Sequence, residues 1–146
     1  MPEKETLELA KKDKREGKAA STQAGEFVRE EIEHVREGKH GARSAKQVIA
    51  IGLSKARRAG VKLPPPENAS KEIREQAARE TRRGQSAGKG KGSAKRSRAS
   101  SRRLKREGHS AASKTALSRH ARSAAAKRSA ASRSRSAKKA AATRNN

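Results

Sequence analysis

The large apolar side chains crowd into one stretch of the chain. Leu, Ile, Val and Phe number 15 in 146 residues, and ten of these lie between Glu26 and Leu63: Phe27, Val28, Ile32, Val35, Val48, Ile49, Ile51, Leu53, Val61 and Leu63. Ala24, Val28, Ile32 and Val35 follow at steps of 4, 4 and 3, the spacing of one helical face, and the pattern stops at Gly38. Ser44 then opens a second helix as N-cap, with Gln47 completing a capping box. Ala45, Val48, Ile49, Gly52, Leu53 and Ala56 share a face of that helix, and Arg57, Arg58 and Gly60 mark its end. Val61 suits the hydrophobic contact of a Schellman ending, and Pro64, Pro65 and Pro66 forbid continuation. The expected unit, over residues 21–63, is a helical hairpin joined by Gly38 to Arg43. That connection is longer than the 3 or 4 residues usual in a helix-turn-helix, which argues against base-specific readout.

The flanks are poorer in apolar residues. Glu3 to Glu16 reads as a charged helix with only Leu7 and Leu9, ended by Gly17, within an N-terminal segment 1–20. Residues 64–92 read as a Pro/Gly linker interrupted by a short helix at about 70–83, capped by Ser70, built on Ile73 and Ala77 and ended by Gly84. GQSAGKGKGS, residues 84–93, reads as flexible. The rest, 93–146, is a low-complexity Ala/Ser/Arg/Lys tail with helical tendency in its Ala runs; like-charge repulsion is expected to keep it unfolded until neutralised. The expected fold class is mainly α, short helices around a central hairpin, with a largely disordered basic C-terminal tail. With so few large side chains the hairpin is expected to be marginal alone and to gain from self-association or a ligand.

One pattern recurs: Arg15-Glu16-Gly17, Arg36-Glu37-Gly38 and Arg106-Glu107-Gly108 each end a helix-prone run, and each precedes a Ser (Ser21, Ser44, Ser110 or Ser113) able to cap another. The plain explanation is that basic residue plus Gly is a common helix stop; the alternative is a duplicated helix, stop and cap unit, with Ser113 to Lys127 as a degenerate copy of the second helix.

Charge changes the picture most. The formal net charge is +24, from 39 Lys and Arg against 15 Asp and Glu. Residues 84–146 hold 19 of those cations and a single acid, Glu107, so they carry +18 of the excess. A surplus that large implies a polyanionic partner. Lys95, Arg96, Arg98, Arg102, Arg103, Lys105, Arg106, Arg119, Arg122, Lys127, Arg128, Arg133, Arg135, Lys138 and Lys139 alternate with small side chains and are the expected phosphate contacts. Single-strand binders stack bases on aromatic rings, and Phe27 is the one aromatic of the Phe/Tyr/Trp set. Duplex DNA is therefore the preferred partner, with structured RNA possible.

A second candidate site is the junction Lys39-His40-Gly41-Ala42-Arg43-Ser44. Lys39, His40, Gly41, Arg43 and Ser44 stand against a helix N-terminus, where N–H groups and the dipole favour an anion. An ordinary capped turn already explains Gly41 and Ser44, and is the plainer reading. Catalysis gains nothing from the pattern: no GxxxxGK[ST] segment occurs, and Asp13 and the early Glu residues alternate with Lys and Arg as on a solvated face. A core this small is expected to bury no carboxylate. His34, His40, His109 and His120 show neither close ligand spacing nor a carboxylate-rich neighbourhood, and Cys is absent, so neither a metal, a cofactor, a disulfide nor a small-molecule substrate is expected. No apolar run approaches the ~20 residues of a membrane span, and the first residues lack a signal-peptide core. The expectation is a non-enzymatic, cytoplasmic, nucleoid-associated protein that compacts duplex DNA without sequence preference. A structured-RNA or ribosome-associated role and a disordered stress-related role are the alternatives.

The block EFVREEIEHVREGKHGARSAKQVIAIGLSKARRAGVKLPPP, residues 26–66, resembles a small bacterial domain family of unknown function that shares a KHG-RS-KQ-IAIGLS-ARRAG core and often continues into a basic tail. The stretch 104–128 resembles that family's tail. In composition the tail is also similar to linker-histone and bacterial histone-like tails. The first resemblance implies no activity; the second implies DNA compaction.

Overall fold

The computed structural model describes residues 2–66, 68–85 and 94–145. Among them the protein is mainly helical and has no strand: α1 (Lys4–Arg15), α2 (Ala20–Arg36), α3 (Ala45–Arg58), α4 (Lys71–Gln85), α5 (Ala94–Arg106), a 3-10 turn at Ser110–Ala112, α6 (Lys114–Ala126) and α7 (Ala130–Arg144).

The punctuation of α2 and α3 follows from residue chemistry. Gly38 at φ 79° and Gly60 at φ 108° take the left-handed conformation that a Schellman ending requires. The Lys39 N–H then reaches back to the His34 carbonyl at 2.9 Å, and the Val61 N–H to that of Ala56 at 3.0 Å. At the start of α3, Ser44 Oγ accepts from the Gln47 N–H at 3.2 Å. The other arm of the capping box shifts by one residue, since Gln47 Oε1 accepts from the Arg43 N–H at 2.7 Å. Ser21 does not cap α2, which starts one residue earlier behind Ala19.

The α2–α3 hairpin forms, but α2 is rotated from the expected face. Its buried residues are Ala24, Phe27, Glu30, Glu31 and Val35, while Val28 and Ile32 are only partly covered. The reason is that α2 packs against α1 as well as α3, so the arc it buries is wider than one stripe. One apolar cluster joins Ala10 of α1, Ala24 and Phe27 of α2, Ala56 of α3 and Val61. At the crossing, Gly52 brings the α3 backbone against Val28. α4 packs on α3 through Ala77, with Glu80 3.8 Å from the buried Arg57, whose Nε donates to the Leu63 carbonyl at 3.0 Å. Gly84, expected to end α4, lies inside its last turn. Its role is close approach: a Cβ there would collide with the Arg57 carbonyl oxygen.

The tail corrects the expectation of disorder. Residues 94–145 form α5, the 3-10 turn, α6 and α7, although no residue of α5, α6 or α7 is buried. Repulsion between like charges one helical turn apart costs only about 0.2–0.5 kcal/mol per pair, and Ala carries the highest helix propensity. Ser113 and Ser129 cap α6 and α7, their Oγ atoms each accepting an N–H three residues on at 3.1 Å. The 3-10 turn anchors the tail to the hairpin: Ala111 and Ala112 are buried with Val35, Ala42 and Val48. The Gly41 and Ala42 N–H groups donate to the Leu104 and Gly108 carbonyls at 2.8 and 3.0 Å, and Arg36 Nε donates to Ala112 O at 2.9 Å. Residues 86–93, the core of the expected flexible linker, lie outside the described residues.

Loss of a Ser cap costs about 1 kcal/mol, and α7 has no buried side chain to offset it. Ser129→Ala is therefore expected to fray α7 visibly, lowering far-UV helical ellipticity. Ser134→Ala, an exposed change inside the same helix, removes no cap oxygen and is expected to leave the signal at or above that of the wild type. Equal ellipticity in Ser129→Ala and wild type would contradict the capping account.

Candidate nucleic-acid interface

All fifteen tail cations named from the sequence are solvent-exposed. Seven of them are on α5. At 100° per residue, Lys95, Arg98, Arg102, Lys105 and Arg106 fall within an arc of about 100°, opposite the partly covered Leu104. Thirteen residues give α5 a length of about 20 Å, so the face forms a short, nearly continuous cationic stripe. Glu107, the lone acid of residues 84–146, is turned to the hairpin, where its Oε1 lies 3.4 Å from Arg43 Nε. The cations of α7 are spread around the helix, while Lys114, Arg119 and Arg122 of α6 fall within an arc of about 140°. Arg128 folds along α7, donating to Ser132 O at 3.0 Å and Ser132 Oγ at 2.9 Å.

The 39–44 junction is engaged within the chain. Lys39 lies 3.2 Å from Glu3 and 3.4 Å from Glu37. His40 turns inward, its Nε2 3.0 Å from Glu31 Oε2 and its Nδ1 3.0 Å from the Gly41 carbonyl. The N–H groups of Gly41 and Arg43 go to Leu104 O and Gln47 Oε1, and Ser44 Oγ is the α3 cap. Of the five residues, Lys39, Arg43 and Ser44 are exposed, while Gly41 is buried and His40 partly so.

The expectation that this protein buries no carboxylate is overturned. Asp13, Glu30 and Glu31 are 5%, 4% and 0% exposed. Glu31 forms an ion pair with Lys55 and also faces both His40 and His34, the latter through Nδ1 at 3.7 Å. On its other side His34 Nε2 lies 3.1 Å from Glu3 Oε1. That contact, followed by the Lys39 ammonium, holds the Glu3 carboxyl below the ordinary carboxylate range, and Glu3 in turn raises Lys39. So His34 and His40 do have a carboxylate-rich neighbourhood. The signal available in the sequence is Glu31-x-x-His34, two residues three apart on one helical face; the Gly38 turn that returns His40 to Glu31 is not visible in spacing alone.

Residues 11–67 match DUF6496, a family of unknown function. The match covers under half the chain, from within α1 through the Pro64–Pro66 run, and so includes the whole α2–α3 hairpin and the 39–44 junction. No curated protein and no solved structure matches the chain. No described helix is long and apolar enough to cross a membrane.

Proposed function

We propose that this protein binds nucleic acid without sequence preference, gripping duplex DNA phosphates through α5–α7, and that it acts as a nucleoid-associated binding protein rather than an enzyme. The observation that carries the reading is the set of seventeen exposed cations in residues 94–145, the fifteen named above with Lys114 and Arg144, in a segment whose only acid is turned away toward Arg43. Each phosphate neutralised releases condensed counterions, so affinity depends on salt with a slope of about 0.9 per contact on logarithmic axes. The scarcity of aromatic residues favours duplex over single strands, because base stacking has no platform. The tail's compositional similarity to histone-like tails is in keeping with the same role.

In this reading the hairpin is the body that carries the cationic helices, and its contacts with residues 104–112 fix the C-terminal end of the α5 stripe. Replacing Lys95, Arg98, Arg102, Lys105 and Arg106 together by Gln is expected to lower the salt slope on duplex DNA by about 4.5 while leaving the unfolding midpoint of the hairpin unchanged. Fluorescence anisotropy at a series of salt concentrations reads the slope. An unaltered slope would remove the α5 face from the interface.

A further inference from the structure

We propose that Glu3, Glu30 and His34 form a binding site for a divalent first-row transition-metal ion, with zinc as the probe. Their candidate ligand atoms lie within 4.8 Å of one another. The cluster borders a cavity of about 190 Å³ whose lining includes Glu3, Glu5, Glu26, Glu30, Glu33 and Glu37 against only Arg29 and Lys39 among cations. In a chain of net charge +24 that local excess of carboxylates is a departure from the surrounding field, and it suits a cation.

Two further observations point to a ligand. Glu30 is 4% exposed; its Oε1 accepts the Glu3 N–H at 2.6 Å, but Oε2 is buried without a hydrogen-bond partner. A buried carboxylate oxygen left unpaired is costly, and a coordinated cation would satisfy it. His34 is the second. A neutral imidazole supplies one N–H, yet its two nitrogens face two carboxylates, Glu31 at 3.7 Å and Glu3 at 3.1 Å. An ion seated between Nε2 and Glu3 Oε1 would replace the hydrogen bond between them and leave the Nδ1 proton for Glu31. The carboxylate behind a ligating imidazole is the usual outer partner that fixes the tautomer. A separation of 3.1 Å also approximates the edge of a polyhedron with metal–ligand bonds of about 2.0–2.2 Å. One imidazole and two carboxylates neutralise a divalent charge and, through the nitrogen donor, favour zinc-like ions over calcium or magnesium. Lys39, 3.2 Å from Glu3 Oε1, competes with the ion and has Glu37 at 3.4 Å as an alternative partner.

The test is calorimetric titration of the full chain with zinc, and separately with magnesium and calcium, in a non-chelating buffer. Saturable binding of one zinc per chain is expected, weakened at least about tenfold by Glu30→Gln and by His34→Gln, and retained in His40→Ala and His120→Ala. Lys39→Met is expected to bind zinc more tightly, a gain that misfolding cannot produce; metal-free circular dichroism checks that the other variants remain folded. Absence of saturable zinc binding to the wild type overturns the proposal. So does binding unaffected by Glu30→Gln and His34→Gln, and so does binding lost in His40→Ala, which would move the ion to Glu31, His34 and His40.

Discussion

Gly52→Ala is expected to destabilise the fold by about 3 kcal/mol, at the upper end of overpacking costs. The added Cβ would lie 2.6 Å from Val28 Cα and 2.9 Å from its backbone nitrogen, so the obstacle is the backbone of α2 and no side-chain rotation relieves it. The helices must separate at their crossing, and the apolar residues on either side, Phe27 with Ala56 and Val35 with Val48, lose contact. Gly25→Ala provides the contrast. It sits mid-helix in α2, exposed, with nothing within 4 Å of a new Cβ, and is expected to stabilise by about 0.5–1 kcal/mol through helix propensity alone. Thermal unfolding of the two variants decides the matter: equal midpoints would contradict the close crossing.

Gly41→Ala is expected to release the tail from the hairpin while sparing the α2–α3 crossing. Its Cβ would collide with the Glu107 carbonyl oxygen and fall 2.6 Å from that of Gly108. Residues 107 and 108 must move away, taking with them the hydrogen bonds from Gly41 and Ala42 to Leu104 and Gly108 and uncovering Ala111 and Ala112. The local loss is about 2–3 kcal/mol, read as faster hydrogen exchange at Ala42 and faster tryptic cleavage near Arg106. Unchanged Ala42 protection would show that the 104–112 segment is not seated on the 39–44 junction.

These two glycines mark the limit of what the sequence makes legible. The helical spacing of Ala24 to Val35, the Ser44 cap and the Gly38 and Gly60 stops locate α2 and α3, because each is a local rule acting within a few residues. Which backbone approaches Gly41, Gly52 or Gly84 is a tertiary fact that a glycine does not announce. Glu30 and Glu31 look like a solvated face until α1 and α3 cover them; the burial of Glu31 depends on Lys55 and His40, 24 and 9 residues distant from it. The tail departs from expectation for a different reason. Ser113 is recognisable as a cap, but like-charge repulsion is weaker than Ala propensity and capping together. Nothing in the pattern of residues 110–112 foretells that two small Ala side chains fill the gap beside Val35 and Val48. The exposure of the cations is fully legible, since it is what a charge run ordinarily implies.

Whether the basic helices grip duplex phosphates is tested most directly by salt-titrated binding of the full chain to duplex DNA, structured RNA and heparin at equal phosphate concentration. Tighter binding to duplex DNA than to either competitor, with a steep salt slope, is the expected result; DNA bound no better than heparin, with structured RNA bound far more tightly, would contradict it.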